Sequence, residues 1–473
     1  MMSRIHVTGC RELLTLRPGV YSAVLPDGGT RLVVWQHAES FGRLSTGQEM
    51  MLRLLAQGSH SAEELYAVAR DHDRLCGDDR AEDLLRRLRA GGWLTITVTY
   101  DDDQLYTLHP LRQPPGPPPD HVGLPAVLSR FAVLRRDDHG IVVESPYAWC
   151  DVRIDTPEVV AVLAGLSLPG VFLEGLRPEV VERVARDLRW AGIVVPIPNA
   201  EDTELRLSQW SPHDLWLHDR SRAAYRSHYG ATRWAKGHYD PLPARHPGHA
   251  GPVVDLHRPD LARLRRTDPT LTTVLEDRRS VRVHDDDQPL TAAQLGEFLY
   301  RCARNRGTVT VDGVEYLSRP YPAGGSVYEL ELYPVVRHVT GLATGMYHYD
   351  AEQHRLRLVG EPNAAVRRLL RFGTFSFSEQ SLPQVLIVIA ARFGRVMWIY
   401  ESMAYALILK HVGVLYQTMY SVATAMGLAP CGLGGGDSTA FVEATGLDPF
   451  EECSVGEFIL GSRRSGREVG DAA

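Results

Sequence analysis

The sequence predicts a multidomain chain of mixed helices and strands. Two winged helix-turn-helix-like units precede a C-terminal domain of strands gathered around one buried helix. Three observations lead there. A hairpin signal followed by short helices occurs twice before residue 200. A stiff spacer, Pro114-Pro115-Gly116-Pro117-Pro118-Pro119, separates the two copies. From Glu401 to Met426 there is no proline and one glycine, and apolar residues fall on every side of a helical wheel. That last pattern belongs to a helix buried all round, or shared between two subunits.

Composition bounds the function classes. A chain of 473 residues predicts two to four domains, each on the order of 100–200 residues. The net charge, 51 − 58 = −7, offers no global attraction to nucleic acid or an anionic membrane. The longest apolar run, around Val385 to Ala391, is too short to span a bilayer. Cys10, Cys76, Cys150, Cys302, Cys431 and Cys453 are scattered without Cys-x-x-Cys spacing. They read as reduced thiols of a cytoplasmic protein rather than a disulfide frame or zinc site. Among 51 basic side chains only Lys236 and Lys410 are lysine, leaving 51 − 2 = 49 arginines. Lysine can lose its proton in a buried site and arginine cannot, which makes Lys410 on the long helix a candidate.

The first unit, 1–112, opens with a hairpin: Val20 to Leu25, a Pro26-Asp27-Gly28-Gly29 turn, and Thr30 to Trp35. Ser45 with Gln48 and Ser61 with Glu64 predict capped starts for two helices. A third helix spans Ala81 to Arg89, and two strands follow at Trp93 to Val98 and Gln104 to Leu108. After the spacer, the second unit (113–200) repeats the plan. Ala132 to Leu134 and Ile141 to Glu144 flank Asp137-Asp138-His139-Gly140, Thr156-Pro157 starts a helix, and Pro178 to Trp190 forms another. The run Leu84 to Leu94 can be laid over Val184 to Val194, which marks an internal duplication. A DNA reader needs a basic recognition face, and the first unit instead carries Asp71, Asp73, Asp78, Asp79, Glu82 and Asp83. The reading preferred over DNA binding is a peptide clamp, in which an extended segment adds a strand to a hairpin edge.

A polar connector, 201–270, includes a short helix at His213 to Arg222. His213, His218, His228 and Asp219 lack recognisable ligand spacing, so no metal site is expected. In the C-terminal domain, 271–463, Arg278-Arg279-Ser280-Val281-Arg282 puts three guanidinium groups and a hydroxyl within five residues, suited to a terminal phosphate. The helix-capping pair Thr291 and Gln294 follows. The loop Arg319-Pro320-Tyr321-Pro322-Ala323-Gly324-Gly325-Ser326 then precedes strands at Tyr328 to Val336, Met346 to Tyr349, Arg355 to Val359 and Gln384 to Ala391. The long helix is expected to stop directly in a glycine-rich turn, Gly432-Leu433-Gly434-Gly435, where bare backbone can approach a flat ligand. A last strand covers Gly456 to Gly461, and 464–473 is a tail.

In that order these motifs resemble the flavin nitroreductase superfamily, and within it the SagB-type azoline dehydrogenases of peptide natural-product biosynthesis. The two N-terminal units and the connector are similar to the peptide-clamp region of cyanobactin and thiopeptide oxidases. The resemblance implies an α+β fold and an FMN-dependent homodimer. Its substrate would be a precursor peptide whose thiazoline or oxazoline rings are oxidised to thiazoles or oxazoles, with a cyclodehydratase of the same pathway as a further partner. Arg278, Arg279, Ser280 and Arg282 would bind the FMN phosphate and ribityl chain, and Arg463 the phosphate. Pro322, Ala323, Gly324 and Gly325 would lie against the isoalloxazine ring, together with Gly432, Leu433, Gly434 and Gly435. Many relatives carry a Lys-Tyr pair at the start of the buried helix. Ile399 and Tyr400 occupy those positions here, so the base is open between Tyr400, Glu401, Lys410 and His411. Two other readings stand beside this one: an NAD(P)H-dependent nitro or quinone reductase, and a non-catalytic peptide-binding partner of a modification complex.

Overall fold

A computed structural model of the protein describes residues 9–35, 37–73, 77–101, 103–119, 126–168, 175–197, 199–223, 225–226, 229–374 and 382–464. Cys76, His228 and residues 465–473 of the expected tail lie outside them. The described residues form two compact units. One holds those up to Arg220 with Tyr225 and Arg226; the other holds Ser221 to Ala223 and everything from residue 229 onward.

In the first unit the local signals act as read. Ser45 Oγ accepts the Gln48 amide and the Gln48 side chain returns to the Ser45 amide, starting the helix Thr46–Gln57. Ser61 and Glu64 do the same for Ala62–His72. The third helix, Gly77–Ala90, begins four residues earlier than its apolar pattern indicates. In the second copy Thr156 stands at the cap of Pro157–Ser167, but its hydroxyl makes no capping bond, so the proline supplies the start signal. The helix Pro178–Ala191 closes at Gly192 in the left-handed conformation (φ +82).

The two copies contribute to one six-stranded antiparallel sheet. Its order is Cys10–Leu16, Leu94–Tyr100, Asp103–Pro110, Cys150–Ile154, Gly140–Glu144 and Val133–Asp137. The copies meet where Thr107 pairs with Arg153. One apolar cluster runs under both, with Trp93, Tyr106, Leu88 and Leu188 fully buried. Glu12 accepts hydrogen bonds from Arg89 of the first copy and Arg183 of the second, and both hold its carboxyl below the usual range. Val133–Asp137 ends the sheet as an exposed edge, beside a cavity of about 650 Å³ lined by Val133, Arg135, Glu144, His213 and Trp216.

The second unit is built on a seven-stranded sheet. Its order is Val253–Asp255, Arg355–Gly360, Gly345–Asp350, Leu330–Val336, Val385–Arg392, Glu452–Ser462 and Leu428–Leu433. The interior strands Leu330–Val336 and Val385–Arg392 are buried at every position, as strands covered on both faces must be. Two expectations need correction. The long helix runs Ala404–Ala425, which leaves Glu401 outside it, and it is not buried all round: Tyr405 is 41% and Leu409 39% exposed, with Lys410, Gly413 and Gln417 exposed beside them. Nor does the helix run straight into the glycine turn. It ends at Met426 and Gly427 (φ +67), and the strand Leu428–Leu433 comes first, so Gly432 and Leu433 are strand residues. Pro430 is tolerated there because that strand is the sheet's edge.

Candidate functional site

Three of the predicted segments converge along the long helix. At its N-terminal half, the His411 Nε2 atom accepts the Gly324 amide at 2.6 Å. That fixes the tautomer: Nδ1 carries the proton and donates to Glu329 Oε1 at 2.8 Å. Both side chains are buried, and the second Glu329 oxygen is buried with no hydrogen-bond partner among the described residues. A polar column thus runs from the core to the loop. The loop is conformationally demanding, with Gly325, Ser326 and Tyr328 all at positive φ (+66, +53 and +45). A Cβ on Gly325 would lie 2.8 Å from the Tyr400 hydroxyl, so that hydroxyl closes on bare backbone. Pro322 and Gly325 are exposed, and Ala323 and Gly324 half-buried.

One turn further along, Val412, Gly413 and Tyr416 line a cavity of about 430 Å³ with Leu433, Gly434, Gly435, Gly436 and Glu457. Tyr416 pins its wall, donating to the Leu433 carbonyl at 3.2 Å and accepting the Glu457 amide at 2.8 Å. Side chains pack closely on bare backbone at three glycines. A Cβ would come within 3.2 Å of the Tyr416 ring at Gly432, 1.8 Å of the Glu457 carboxylate at Gly436, and 2.7 Å of Val412 at Gly456. Gly434 and Gly435, also expected to need bare backbone, have nothing closer than 3.8 Å. Glu457 is a residue that sequence reasoning missed. It is 3% exposed, and burial, with the Asp437 charge nearby, pushes its carboxyl up to about 7.

At the C-terminal half, the Tyr420 hydroxyl accepts the Gly432 amide and shares a hydrogen bond with Ser280 Oγ, both at 2.8 Å. The Arg278 guanidinium lies 5.4 Å from the Tyr420 ring centre. The segment carrying Arg282 is tied to Pro430 through the Val281 amide and to Ser462 through the Asp285 amide. It therefore passes the strand end that carries Arg463. Arg282 Nε and Arg463 Nε are both buried without a hydrogen-bond partner among the described residues. Two such donors on adjoining segments, one of them two residues from Ser280, suit an anion with several acceptor oxygens. Arg279 is exposed.

From His411 to Tyr420 the helix rises about 14 Å, at 1.5 Å per residue. His411 and Tyr420, nine residues apart at about 100° per residue, point to opposite sides of the helix, so the strained loop lies on one side and the arginine-serine segment on the other. The glycine-walled cavity adjoins that segment through Gly432, whose backbone meets both Tyr416 and Tyr420; together they suit a flat ring with a phosphate-terminated tail, and FMN is such a molecule. Glu401 and Lys410 are exposed and neither lines the cavity. Of the four candidate bases, Tyr400 and His411 meet the loop.

Comparison with known proteins finds a match in each unit. Residues 126–227 match the family model of the cyanobactin oxidase ThcOx, and residues 275–461 match that of the nitroreductase family. A protein of Methanocaldococcus jannaschii named as a nitroreductase is 29% identical over 188 residues, 39% of this chain and 85% of that protein. The trifolitoxin-processing protein TfxB of Rhizobium leguminosarum bv. trifolii is 26% identical over 149 residues, 31% of this chain and 40% of that protein. A crystal structure from Ralstonia eutropha, described as a nitroreductase, is 22% identical and covers 48% of this chain and 99% of its own. Its TM-score is 0.36.

Proposed function

We propose that this chain, which joins a cyanobactin-oxidase segment to a nitroreductase-family domain, is an FMN-dependent dehydrogenase that aromatises azoline rings in a ribosomally made peptide. The observation that carries the reading is the pairing of those two domains, together with a nitroreductase half in which Gly432 joins the glycine-walled cavity to the arginine-serine segment. A small-molecule reductase has no use for the N-terminal unit, whose exposed edge strand Val133–Asp137 offers unpaired backbone to an extended peptide. The name of the trifolitoxin-processing relative also points to peptide work.

Arg278, Ser280, Arg282 and Arg463 would hold the phosphate of FMN, with Arg279 at the rim. Gly324, Gly325 and the 432–436 turn would take its ring. When bound, FMN supplies the acceptor for the hydride leaving the β-carbon of the azoline. The chain's own residues then have two tasks. His411, oriented by Glu329, holds the Gly324 amide in one direction, so the loop presents a fixed surface. A base must take the proton from the α-carbon, and Glu457 has the affinity for it: a carboxyl near 7 is half ionised at neutral pH. Tyr400, against Gly325, would orient the ring of the substrate through its hydroxyl. The exposed stripe of Tyr405, Leu409 and Gly413 would be covered by a second copy of the chain, making the dimer part of the site wall.

The test begins with the untreated protein: it should be yellow, and heat should release one FMN per chain. Incubation with a cyclised peptide should then remove two hydrogens per azoline ring, read by mass. Absence of mass loss with a cognate peptide overturns the proposal. Rapid bleaching by NADH with quinone turnover would replace it with a reductase.

A further inference from the structure

We infer that His246, His249 and His348 form a binding site for a divalent transition-metal ion of the zinc class. The sequence predicts no metal site, and these histidines are distinct from His213, His218 and His228 of the connector. Within the second unit the chain folds His246-Pro247-Gly248-His249, on an irregular segment, against His348 of the strand Gly345–Asp350. One nitrogen from each lies within 4.8 Å of the other two. The rings are in contact, with centres 4.3 Å apart for His246 and His348, 5.3 Å for His246 and His249, and 5.4 Å for His249 and His348. Two nitrogens bound to one tetrahedral zinc are about 3.4 Å apart, given bonds of about 2.1 Å. Closing the trio therefore takes about 1.4 Å at most, and two of its members ride on a segment without regular structure.

What separates this group from an ordinary histidine cluster is what stands behind it. His348 Nε2 meets Glu331 Oε2 at 3.1 Å, and His246 Nε2 meets Glu452 Oε2 at 3.0 Å. A carboxylate on one ring nitrogen fixes the tautomer, raises the basicity of the other nitrogen and turns it toward a metal. Glu452 is itself held by the Tyr333 hydroxyl at 2.7 Å, and that hydroxyl lies 3.3 Å from His249 Nε2. Both carboxylates are buried, at 3% and 5% exposure. One contact must be exchanged on loading: His246 Nδ1 now accepts the Gly248 amide at 2.8 Å. The three imidazoles face a cavity of about 440 Å³, which leaves room for a fourth, exchangeable ligand. Its four lining carboxylates outnumber its three guanidiniums, so the field does not oppose a cation. Neutral imidazoles select zinc, cobalt, nickel or copper over magnesium or calcium.

The experiment uses the untagged full-length protein, stripped with a chelator and titrated with Co²⁺ alone. One equivalent should bind, with the intense visible bands of a tetrahedral ion. Competition for Zn²⁺ against a chromophoric chelator should show an affinity lowered on the order of 100-fold or more in His249→Ala and about 10-fold in Glu452→Gln. His213→Ala should be unchanged. Zn²⁺ should raise the thermal midpoint of the wild type and not of His249→Ala, and the Glu452→Gln comparison decides the matter if His249→Ala does not fold. Less than one equivalent in the wild type, weak octahedral bands, or equal affinity across the variants would overturn the inference. None of these readouts involves the flavin, so the result is independent of the function proposed above.

Discussion

At the scale of single residues, the site turns on Glu457. Moving its carboxyl from the ordinary 4.5 to about 7 amounts to about 3 kcal/mol between its protonated and ionised forms. Two consequences follow with definite signs. As a base, Glu457 must be ionised, so kcat/KM should rise with pH to a half-maximum near 7, and Glu457→Gln should flatten that limb while lowering the rate about 10²- to 10⁴-fold. For stability the sign is opposite. The raised value favours the protonated fold, so stability from this group is complete below about 4.5 and is lost as pH rises through about 7. Glu457→Gln should therefore be more stable than wild type at pH 8 and equal to it near pH 4, as urea denaturation of the flavin-free protein would show. Nothing in the local run Gly456-Glu457-Phe458 announces this carboxyl, because the shift comes from burial and from Asp437 across the turn. His411 makes the complementary case. Its place on the helix was legible, but its partners Glu329 and Gly324 are 82 and 87 residues away. His411→Ala leaves the fully buried Glu329 carboxylate unpaired and should cost about 3 kcal/mol or more, read as a lowered urea midpoint.

Elements were legible where their signals are local. The capping boxes at Ser45, Ser61 and Thr291 each act through a residue three positions on, and each starts its helix where read. The strands Cys10–Leu16 and Leu428–Leu433 were not legible, for different reasons. The first, Cys-Arg-Glu-Leu-Leu-Thr-Leu, lacks clean alternation and is defined by its pairing with Leu94–Tyr100. The second holds a proline and a glycine that read as turn, and only its edge position makes them acceptable. The glycine turn was recognised, but its tight positions are displaced toward its ends. Gly436→Ala should therefore abolish flavin retention, because its methyl meets the Glu457 carboxylate, whereas Gly434→Ala should retain the cofactor. Flavin absorbance per chain after gel filtration distinguishes the two.

For the whole molecule, the expected duplication rests on two similar helix ends, and no sequence pattern announces the common sheet. Joining Asp103–Pro110 to Cys150–Ile154 is a long-range pairing that no local pattern specifies. Because the two copies share that sheet and one apolar cluster, the first unit should unfold in a single transition, with fluorescence and circular dichroism giving coincident curves. Among the described residues no helix is long and apolar enough to cross a membrane. The second unit leaves one face of its long helix exposed, and Lys410 stands on it. In a chain with two lysines, that residue is an intrinsic chemical reporter. An amine-reactive ester has only Lys410, Lys236 and the terminal amine to acylate, and Lys236 is 57% exposed on a separate polar loop. The ratio of acylation at the two lysines, read from one peptide map, calibrates itself: self-association over the helix would suppress the first and leave the second as its own standard.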